Sequence, residues 1–294
     1  MNETALGNSR SRAKKKSMLS ITVARLWTDK VAMIGFFGVI LLIILAMIAP
    51  LITKYLPTDM DMLAIKQAPS AAHWFGTDDL GRDIFSRCIY GGRYSLFLGI
   101  LSSALATVLG IVLGSLAGFY GGWVDVLIMR ICDIIQAIPA MVISIIVSLV
   151  LGTGYAVTII ALAMGGFTFS TRLTRGQVLS VRSAEYLDAA RTINCSSARI
   201  MFKHVLPNIF SPILLEFTMK ISQMIQLSAS LSVIGLGVQP PTPEWGAMLS
   251  AGRNLMTNYP HLVIFPGIFI FAISLFINIF GDGLRDALDP KLKK

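Results

Sequence analysis

Residues 31–52 read "VAMIGFFGVILLIILAMIAPLI", an apolar run without a single charged residue. A helix that crosses a bilayer needs about 20 mainly apolar residues, so this run is long enough to span a membrane. The composition of the whole chain agrees, because 54% of its 294 residues are hydrophobic and only 14% are charged. A soluble domain carries about 25% charged residues. The sequence therefore predicts an all-α, polytopic membrane protein.

Five further apolar stretches are long enough, or nearly long enough, to be spans. They are residues 95–119, 126–151, 155–171, 208–236 and 262–281. Together with the first run they predict six transmembrane helices. The corresponding division of the chain is a basic tail 1–30, a first anchor 31–52, an extracytoplasmic segment 53–94, a transmembrane core 95–283 that contains a loop 183–208, and a C-terminus 284–294.

Lysine and arginine concentrate on one side of this predicted topology. Most of them fall in the tail, in the loop 172–205 and at the C-terminus. Because basic residues accumulate in cytoplasmic loops, this pattern predicts that both termini lie in the cytoplasm. The net charge of +9 is then a topology signal in a chain whose partner is the lipid bilayer, and it does not indicate nucleic-acid binding.

The stretch 237–260 is predicted to be a second extracytoplasmic segment. Four of its residues are prolines, which argues against a simple helix, and Trp245 suits a membrane–water interface. The three cysteines and three histidines of the chain are scattered, so they predict neither a metal site nor a disulfide framework. The same scatter argues against an intramembrane enzyme, and we expect no catalytic residues.

Residues 76–83, "GTDDLGRD", have the glycine spacing of a phosphate-binding loop. Such a loop needs a lysine followed by serine or threonine, whereas Arg82 and Asp83 hold those places, and no apolar strand precedes it. We therefore expect the two glycines to form turns. We also expect charge neutralisation among neighbouring acidic and basic residues, namely Asp78, Asp79, Asp83, Arg82 and Arg87.

The loop 183–208 reads "SAEYLDAARTINCSSARIMFKHVLPN" and predicts two short helices with a break between them. Ser183 is the expected N-cap of the first helix, and Ser196 or Ser197 that of the second. Asn194 is the expected left-handed terminator. Pro207 is expected to break or kink the chain where it meets the membrane. On these grounds alone, a basic interfacial hairpin without a partner remains an alternative.

This loop resembles the "EAA" loop of importer-type ABC permeases. The family pattern is E-A-A, three residues, G, nine residues, then I-x-L-P. Asp188, Ala189 and Ala190 stand at the E-A-A positions, Asn194 stands at the glycine, and Leu206 and Pro207 close the pattern. His204 departs from the family's isoleucine. The spacing is the same throughout.

Three more stretches resemble the dipeptide/oligopeptide/nickel branch of that family, and specifically its C-type permease subunit. They are "HWFGTDDLGRDIFSRCIYGGRYSL" (73–96), "SLSVIGLGVQPPTPEWGAML" (230–249) and "GDGLRDALDPK" (281–291). The resemblance covers nearly everything from about residue 30 onward. It implies a type I ABC importer permease fold in a bacterial inner membrane.

The resemblance also implies partners. These are a homologous second permease, two cytoplasmic ATPase subunits that use ATP and magnesium, and an extracytoplasmic solute-binding protein. This chain would hold no cofactor and would form half of a translocation pathway. Peptides are the expected substrates, with nickel chelates or glutathione-like compounds as alternatives, and an ion-driven secondary transporter is disfavoured. The implied ATPase-coupling residues are Tyr186, Asp188, Ala189, Ala190, Arg191, Asn194, Leu206 and Pro207.

Several polar residues lie within predicted spans, where they usually face the bundle interior or a water-filled cavity. Glu216 and Lys220 are four residues apart, the favourable order for a helical ion pair. The pair either lines the translocation pathway or neutralises itself at the interface between two permeases. The full set of pathway or interface candidates is Asp133, Gln136, Glu216, Lys220, Gln223 and Gln226.

Overall fold

The computed structural model describes residues 18–288, without the side chains of residues 18–21 and of Arg191. The α-helices are α1 (Met18–Thr28), α2 (Lys30–Met47), α3 (Ala49–Ile52), α4 (Ile84–Tyr120), α5 (Gly122–Gln136), α6 (Ala140–Leu151), α7 (Tyr155–Arg182), α8 (Glu185–Thr192), α9 (Ser197–Ile200), α10 (Leu206–Val233), α11 (Trp245–Gly252) and α12 (His261–Leu288). A π-helical turn covers Met201–Val205, and a 3-10 turn covers Arg253–Leu255. Over these residues the chain is all-α, as predicted. Residues 1–17 of the tail predicted at 1–30 lie outside the described residues. Residues 289–294 of the predicted C-terminus also lie outside them.

Four helices are long and apolar enough to cross a membrane: α2, α4, α7 and α12. Their most apolar windows have mean hydropathies of 2.6, 2.4, 1.4 and 2.5. The helix in the fifth predicted span, α10, has 28 residues and is therefore about 42 Å long, but its polar side chains make it less apolar than these four.

The third predicted span is not one straight helix. Over residues 126–151 the structure has α5 and α6, which meet at an angle of 89° and together are apolar enough to form one broken span. Pro139 causes the break, because it lacks an N–H group and disfavours helical geometry at the residue before it. The third predicted span is therefore present as two helices with a sharp bend between them.

Two helices extend well beyond their predicted bounds. Helix α4 begins at Ile84 and not at residue 95, because the Asp83 carboxylate caps its first turn by accepting a hydrogen bond from the Ser86 N–H (2.7 Å). Helix α7 continues to Arg182, so Arg172 and Arg175 lie on a helix and not in a cytoplasmic loop. The loop between α7 and α10 is correspondingly shorter than predicted.

The centre of the bundle is the packing of α4 against α7. Three glycines of α4, spaced by four residues, face α7 and leave no room for a side chain. A methyl group on Gly118 would lie 2.8 Å from Cβ of Val178, and Gly110 and Gly114 meet Ser170 and Thr171 even more closely. Small residues at this spacing allow two membrane helices to approach each other closely.

The segment 53–83 precedes α4 and contains the two glycine turns expected in "GTDDLGRD". Gly76 and Gly81 have φ angles of 78° and 73°. The Asp78 carboxylate lies 2.7 Å from Nε of Arg82 and 3.5 Å from Nε of Arg87. One buried carboxylate therefore forms ion pairs with both arginines. The charge neutralisation predicted for these residues is therefore present, and Asp79 joins it at 3.7 Å from Arg82.

Two predictions on the segments 53–94 and 237–260 are corrected. Asp83 does not neutralise an arginine, because it caps α4 and lies 3.0 Å from Nδ1 of His73. The side chain of Trp245 is not exposed to a membrane–water interface. It begins α11, is only 1% exposed, and donates its indole N–H to the carbonyl oxygen of Cys88 (2.8 Å).

Candidate functional site

The loop between α7 and α10 forms the expected two short helices, with one cap displaced. Ser183 ends α7 and does not begin α8, which starts two residues later at Glu185. Asn194 follows α8 with a φ of 59°, the left-handed conformation that was predicted. Ser196 caps α9 by accepting a hydrogen bond from the Arg199 N–H (3.4 Å), also as predicted.

Pro207 does not break the chain where α10 begins. It lies in the first turn of α10. The π-helical turn Met201–Val205 precedes it, and the Leu206 N–H reaches back five residues to the carbonyl oxygen of Met201. The chain from α9 into α10 is therefore continuously helical.

The inner side of α8 packs against α7 and α10. Leu187 is fully buried and Ala190 is 6% exposed, and both belong to a hydrophobic cluster with Val178 of α7 and Ile209 of α10. Ala190, one of the implied ATPase contacts, thus lies beneath the surface of the loop and not on it. Its small side chain lets α8 pack closely on this cluster.

The outer side of α8 carries exposed residues at helical spacing. Tyr186 is 43% exposed, Ala189 is exposed, and Ile193 is 75% exposed. Residues three and four apart lie on one face of a helix, so these three form a single surface, which we call the α8 face. The hydroxyl of Tyr186 accepts a hydrogen bond from Nδ2 of Asn208 on α10 (3.3 Å).

The other implied coupling residues are distributed around this face. Asp188 and Asn194 are exposed, and Leu206 and Pro207 lie in the first turn of α10. Sequence reasoning missed two large apolar side chains on the surface of the loop, Ile193 and Phe202, the latter 72% exposed. The spacing of Ile193 from Tyr186 and Ala189 was the available signal for the first. Phe202 lies in the π turn, which the sequence does not reveal.

The six polar residues predicted to lie in the spans are not all at one place. Glu216 and Lys220 form an ion pair that is almost entirely buried inside this chain. The Glu216 carboxylate also accepts hydrogen bonds from Ser170 of α7 (2.9 Å) and, more weakly, from Thr107 of α4 (3.5 Å). The Lys220 ammonium also donates to the carbonyl oxygen of Gly166 (3.2 Å). The pair thus needs no second subunit to cover it.

A cleft of about 430 Å³ lies beside this pair, between the α5–α6 break, α7 and α10. Three of the six candidates line it: Gln136, Lys220 and Gln223. The side chains of Gln136 and Gln223 are exposed, so they present amide groups to the open space. The structure therefore brings polar residues of two predicted spans to one cleft.

The remaining two candidates lie elsewhere. Gln226 lines a second cleft, between α10, α11 and α12, together with Ser274 and Asn278. Asp133 pairs with Arg172 of α7 and lies 3.9 Å from Arg130. It is not among the residues that line either cleft.

Glu244 organises the segment between α10 and α11, and sequence reasoning missed it. Its carboxylate is 1% exposed and accepts hydrogen bonds from the hydroxyls of Ser95 (3.2 Å) and Ser232 (3.4 Å) and from the Ala247 N–H (2.8 Å). Burial raises the pKa of this carboxyl above its usual range, although the hydrogen bonds oppose the shift. Glu244 therefore ties α4, α10 and α11 together.

Comparison with known protein families identifies the group to which this arrangement belongs. Residues 110–294, from the middle of α4 onward, match the family described as the binding-protein-dependent transport system inner membrane component. The chain belongs to this family. Residues 17–69 match a second family, the N-terminal transmembrane domain of oligopeptide transport permease C. A binding-protein-dependent permease of this kind is the membrane subunit of an ABC importer, in which a separate subunit is the ATPase.

Three curated relatives cover almost the whole permease. The oligopeptide transport system permease protein OppC of Bacillus subtilis (strain 168) is 40% identical over 96% of this chain and 92% of its own length. The glutathione transport system permease protein GsiD of Pectobacterium atrosepticum is 44% identical over 92% of this chain and 90% of its own. The dipeptide transport system permease protein DppC of Alkalihalophilus pseudofirmus is 42% identical over 90% of this chain and 87% of its own.

Solved structures support the fold. A chain of the MetNI methionine ABC transporter in an inward-facing conformation superposes with a TM-score of 0.57 at 17% identity, over 70% of this permease and 98% of that chain. A chain of an amino acid ABC transporter gives a TM-score of 0.53 at 17% identity, over 67% and 92%. The fold is thus that of the type I importer permeases, as expected from the resemblance.

Proposed function

We propose that this chain is one of two homologous permease subunits of an ATP-driven importer for di- or oligopeptides. The names of the relatives support the peptide class, because two of them are permeases of oligopeptide and dipeptide systems. Two cytoplasmic ATPase subunits bind this permease and its homologue and use ATP and magnesium. An extracytoplasmic solute-binding protein delivers the substrate.

The observation that carries this proposal is the two-sided character of α8. Its outer side is the exposed α8 face, and its inner side packs through Leu187 and Ala190 on α7 and α10. An exposed apolar surface at a fixed position is typical of a protein contact. A force applied to the α8 face by an ATPase would be transmitted to α7 and α10 through close-packed side chains, which deform little.

The pathway itself is proposed to pass the cleft beside the α5–α6 break. Amide groups in a membrane usually face water or another polar group, and Gln136 and Gln223 lie on this cleft. Gln226 on the neighbouring cleft extends the exposed polar side of α10. We place the homologous permease against this side of α10, so that the pathway lies between the two subunits.

The proposed orientation has both termini in the cytoplasm. The basic tail 1–30, the loop 183–208 and the C-terminus 284–294 then lie on the ATPase side, which agrees with the positive-inside rule. The segments 53–94 and 237–260 lie outside, next to the binding protein. The anchor 31–52 and the core 95–283 occupy the membrane.

Glutathione is a second candidate substrate, because relatives that are 44% and 46% identical are glutathione permeases. Glutathione is itself a small peptide, so both candidates belong to one chemical class. Nickel chelates, the other alternative that the sequence left open, have no such support among the relatives named above.

Uptake by the reconstituted importer tests the proposal. We expect vesicles that hold this permease, its homologue and the ATPases to take up a labelled tripeptide only with ATP and with the binding protein present. Unlabelled dipeptides, oligopeptides and glutathione are the competitors that define the substrate. Vesicles that hold this chain alone serve as the control and are expected to show no uptake. Uptake by the chain alone, driven by an ion gradient, would contradict the proposal.

A further inference from the structure

A shallow groove runs along the outer side of the first span. Its walls are Ile34, Phe37 and Leu41 of α2 and Phe276 of α12. The groove exists because α2 lies very close to α12, since Gly38 leaves space only for the Phe276 ring. The side chains of Ile34, Phe37 and Leu41 are about half exposed or more, so nothing in the described chain covers them.

The position of the groove makes its environment hydrocarbon. Helix α2 is the most apolar span, with a mean hydropathy of 2.6, and only 28% of it is buried inside the chain. The clefts that carry Gln223 and Gln226 lie along α10, which packs against α12 and not beside α2. The polar side that we assign to the second permease is therefore separated from this groove by α12.

One end of the groove carries a positive charge and an amphipathic ring. Lys30 and Trp27 line the groove where α1 joins α2, and Trp27 is 61% exposed. The nearby carboxylate of Asp29 is engaged in the helix cap, because it accepts hydrogen bonds from the N–H groups of Val31 (2.9 Å) and Ala32 (3.1 Å). Among the side chains that the structure describes, none forms an ion pair or a hydrogen bond with the Lys30 ammonium.

Charge favours an anion at this end. Lys30 is the first residue of α2 and is exposed, and the Asp29 carboxylate beside it is already used by the helix N–H groups. Tryptophan is typical of the level of the lipid headgroups, and basic pockets beside spans on the cytoplasmic side bind anionic headgroups.

We propose that this groove is a binding site for an anionic phospholipid. The headgroup phosphate pairs with Lys30 beside the Trp27 ring, and one acyl chain lies along Ile34, Phe37 and Leu41 against Phe276. The site combines an apolar trough at membrane depth with the Lys30 ammonium at its end. A zwitterionic lipid would fill the same trough but would gain less from Lys30.

Competition between two lipids tests the site on the purified full chain. We expect native mass spectrometry, after exposure to equal amounts of phosphatidylglycerol and phosphatidylcholine, to show about a fivefold preference for phosphatidylglycerol. Lys30→Gln is expected to reduce the preference to near parity without lowering phosphatidylcholine binding. Lys203→Gln, which removes an exposed lysine distant from the groove in sequence, is the matched control and is expected to keep the preference.

A second pair of variants tests the acyl-chain trough. Ile34→Trp fills the groove and is expected to reduce the binding of both lipids, whereas Ile44→Trp, on the same helix but outside the groove, is expected to leave it unchanged. Equal binding of the two lipids by the wild-type chain, or an undiminished preference in Lys30→Gln, would overturn the proposal. It would also be overturned if a photoreactive group at Phe37 in the assembled importer cross-linked to the second permease and not to phosphatidylglycerol.

Discussion

Arg175 of α7 and Asp125 of α5 form a bidentate ion pair. The Nε–Oδ1 distance is 2.5 Å and the Nη2–Oδ2 distance is 2.6 Å. Bidentate pairs of this kind are among the strongest polar contacts in proteins. Of the 15 residues of α5, all of which the structure describes, Cys132 is the only one that is buried. This pair therefore links α5 to α7, as does the pair of Asp133 with Arg172.

We expect Asp125→Asn to destabilise the purified chain by about 1 kcal/mol, because the partly exposed Arg175 guanidinium loses a charged hydrogen-bond acceptor. Thermal unfolding in detergent measures the effect. Arg130→Gln removes the charge of an exposed arginine on the same helix, which lies 3.9 Å from its acidic neighbour, and serves as the control. An equal loss in the two variants would show that the Arg175 pair has no special role.

The buried pair Glu216–Lys220 leads to a prediction about double substitution. Lys220→Met leaves an uncompensated carboxylate among α4, α7 and α10, and such a change typically costs about 3–5 kcal/mol. We expect Glu216→Gln combined with Lys220→Met to be clearly less destabilising than Lys220→Met alone, because no charge then remains buried. The midpoint of thermal unfolding is the measurement. A double variant that is as unstable as the single one would contradict the burial of the pair.

The raised pKa of Glu244 predicts that the segment 237–260 is less stable at higher pH. The folded state favours the protonated carboxyl, so this contribution to stability is fully present below the ordinary pKa of 4.5 and is lost as the pH rises through the folded value. Hydrogen exchange of residues 237–260, measured over a pH series and corrected for intrinsic exchange, is expected to report this trend. Glu244→Gln, which keeps the shape without the charge, is expected to remove the pH dependence.

Asn194 predicts a difference between two substitutions at one position. Its φ of 59° is strained for most side chains and unstrained for glycine. We expect Asn194→Gly to leave stability within a few tenths of a kcal/mol, and Asn194→Val to reduce it by about 1–2 kcal/mol. Thermal unfolding of both variants decides the matter. Equal tolerance of valine and glycine would mean that the turn after α8 is not left-handed in solution.

The parts of the structure that the sequence predicted are those set by local chemistry. The turn at Asn194 and the cap at Ser196 depend on residues within a few positions of each other. The early start of α4 was missed because a search for apolar runs does not detect a helix that continues outside the membrane. The capping role of Asp83 was the local signal for that start.

The parts that the sequence did not predict depend on contacts between distant residues. The burial of Trp245 follows from a hydrogen bond to Cys88, which is 157 residues away in the chain. The inward position of Ala190 and the outward position of Ile193 depend on which side of α8 meets α7 and α10. The gathering of Gln136 and Gln223 at one cleft depends on the 89° bend between α5 and α6.

We propose that the α8 face couples this permease to an ATPase. ATP-dependent peptide uptake in the reconstituted importer is the measurement that tests this coupling. We expect Ala189→Glu, which places a bulky charge on the α8 face, to keep the thermal stability of the chain but to lower uptake at least tenfold. The matched control is Ala198→Glu, on the neighbouring helix α9 and also exposed, for which we expect near-normal uptake. Normal uptake and normal ATPase association in Ala189→Glu would contradict the account.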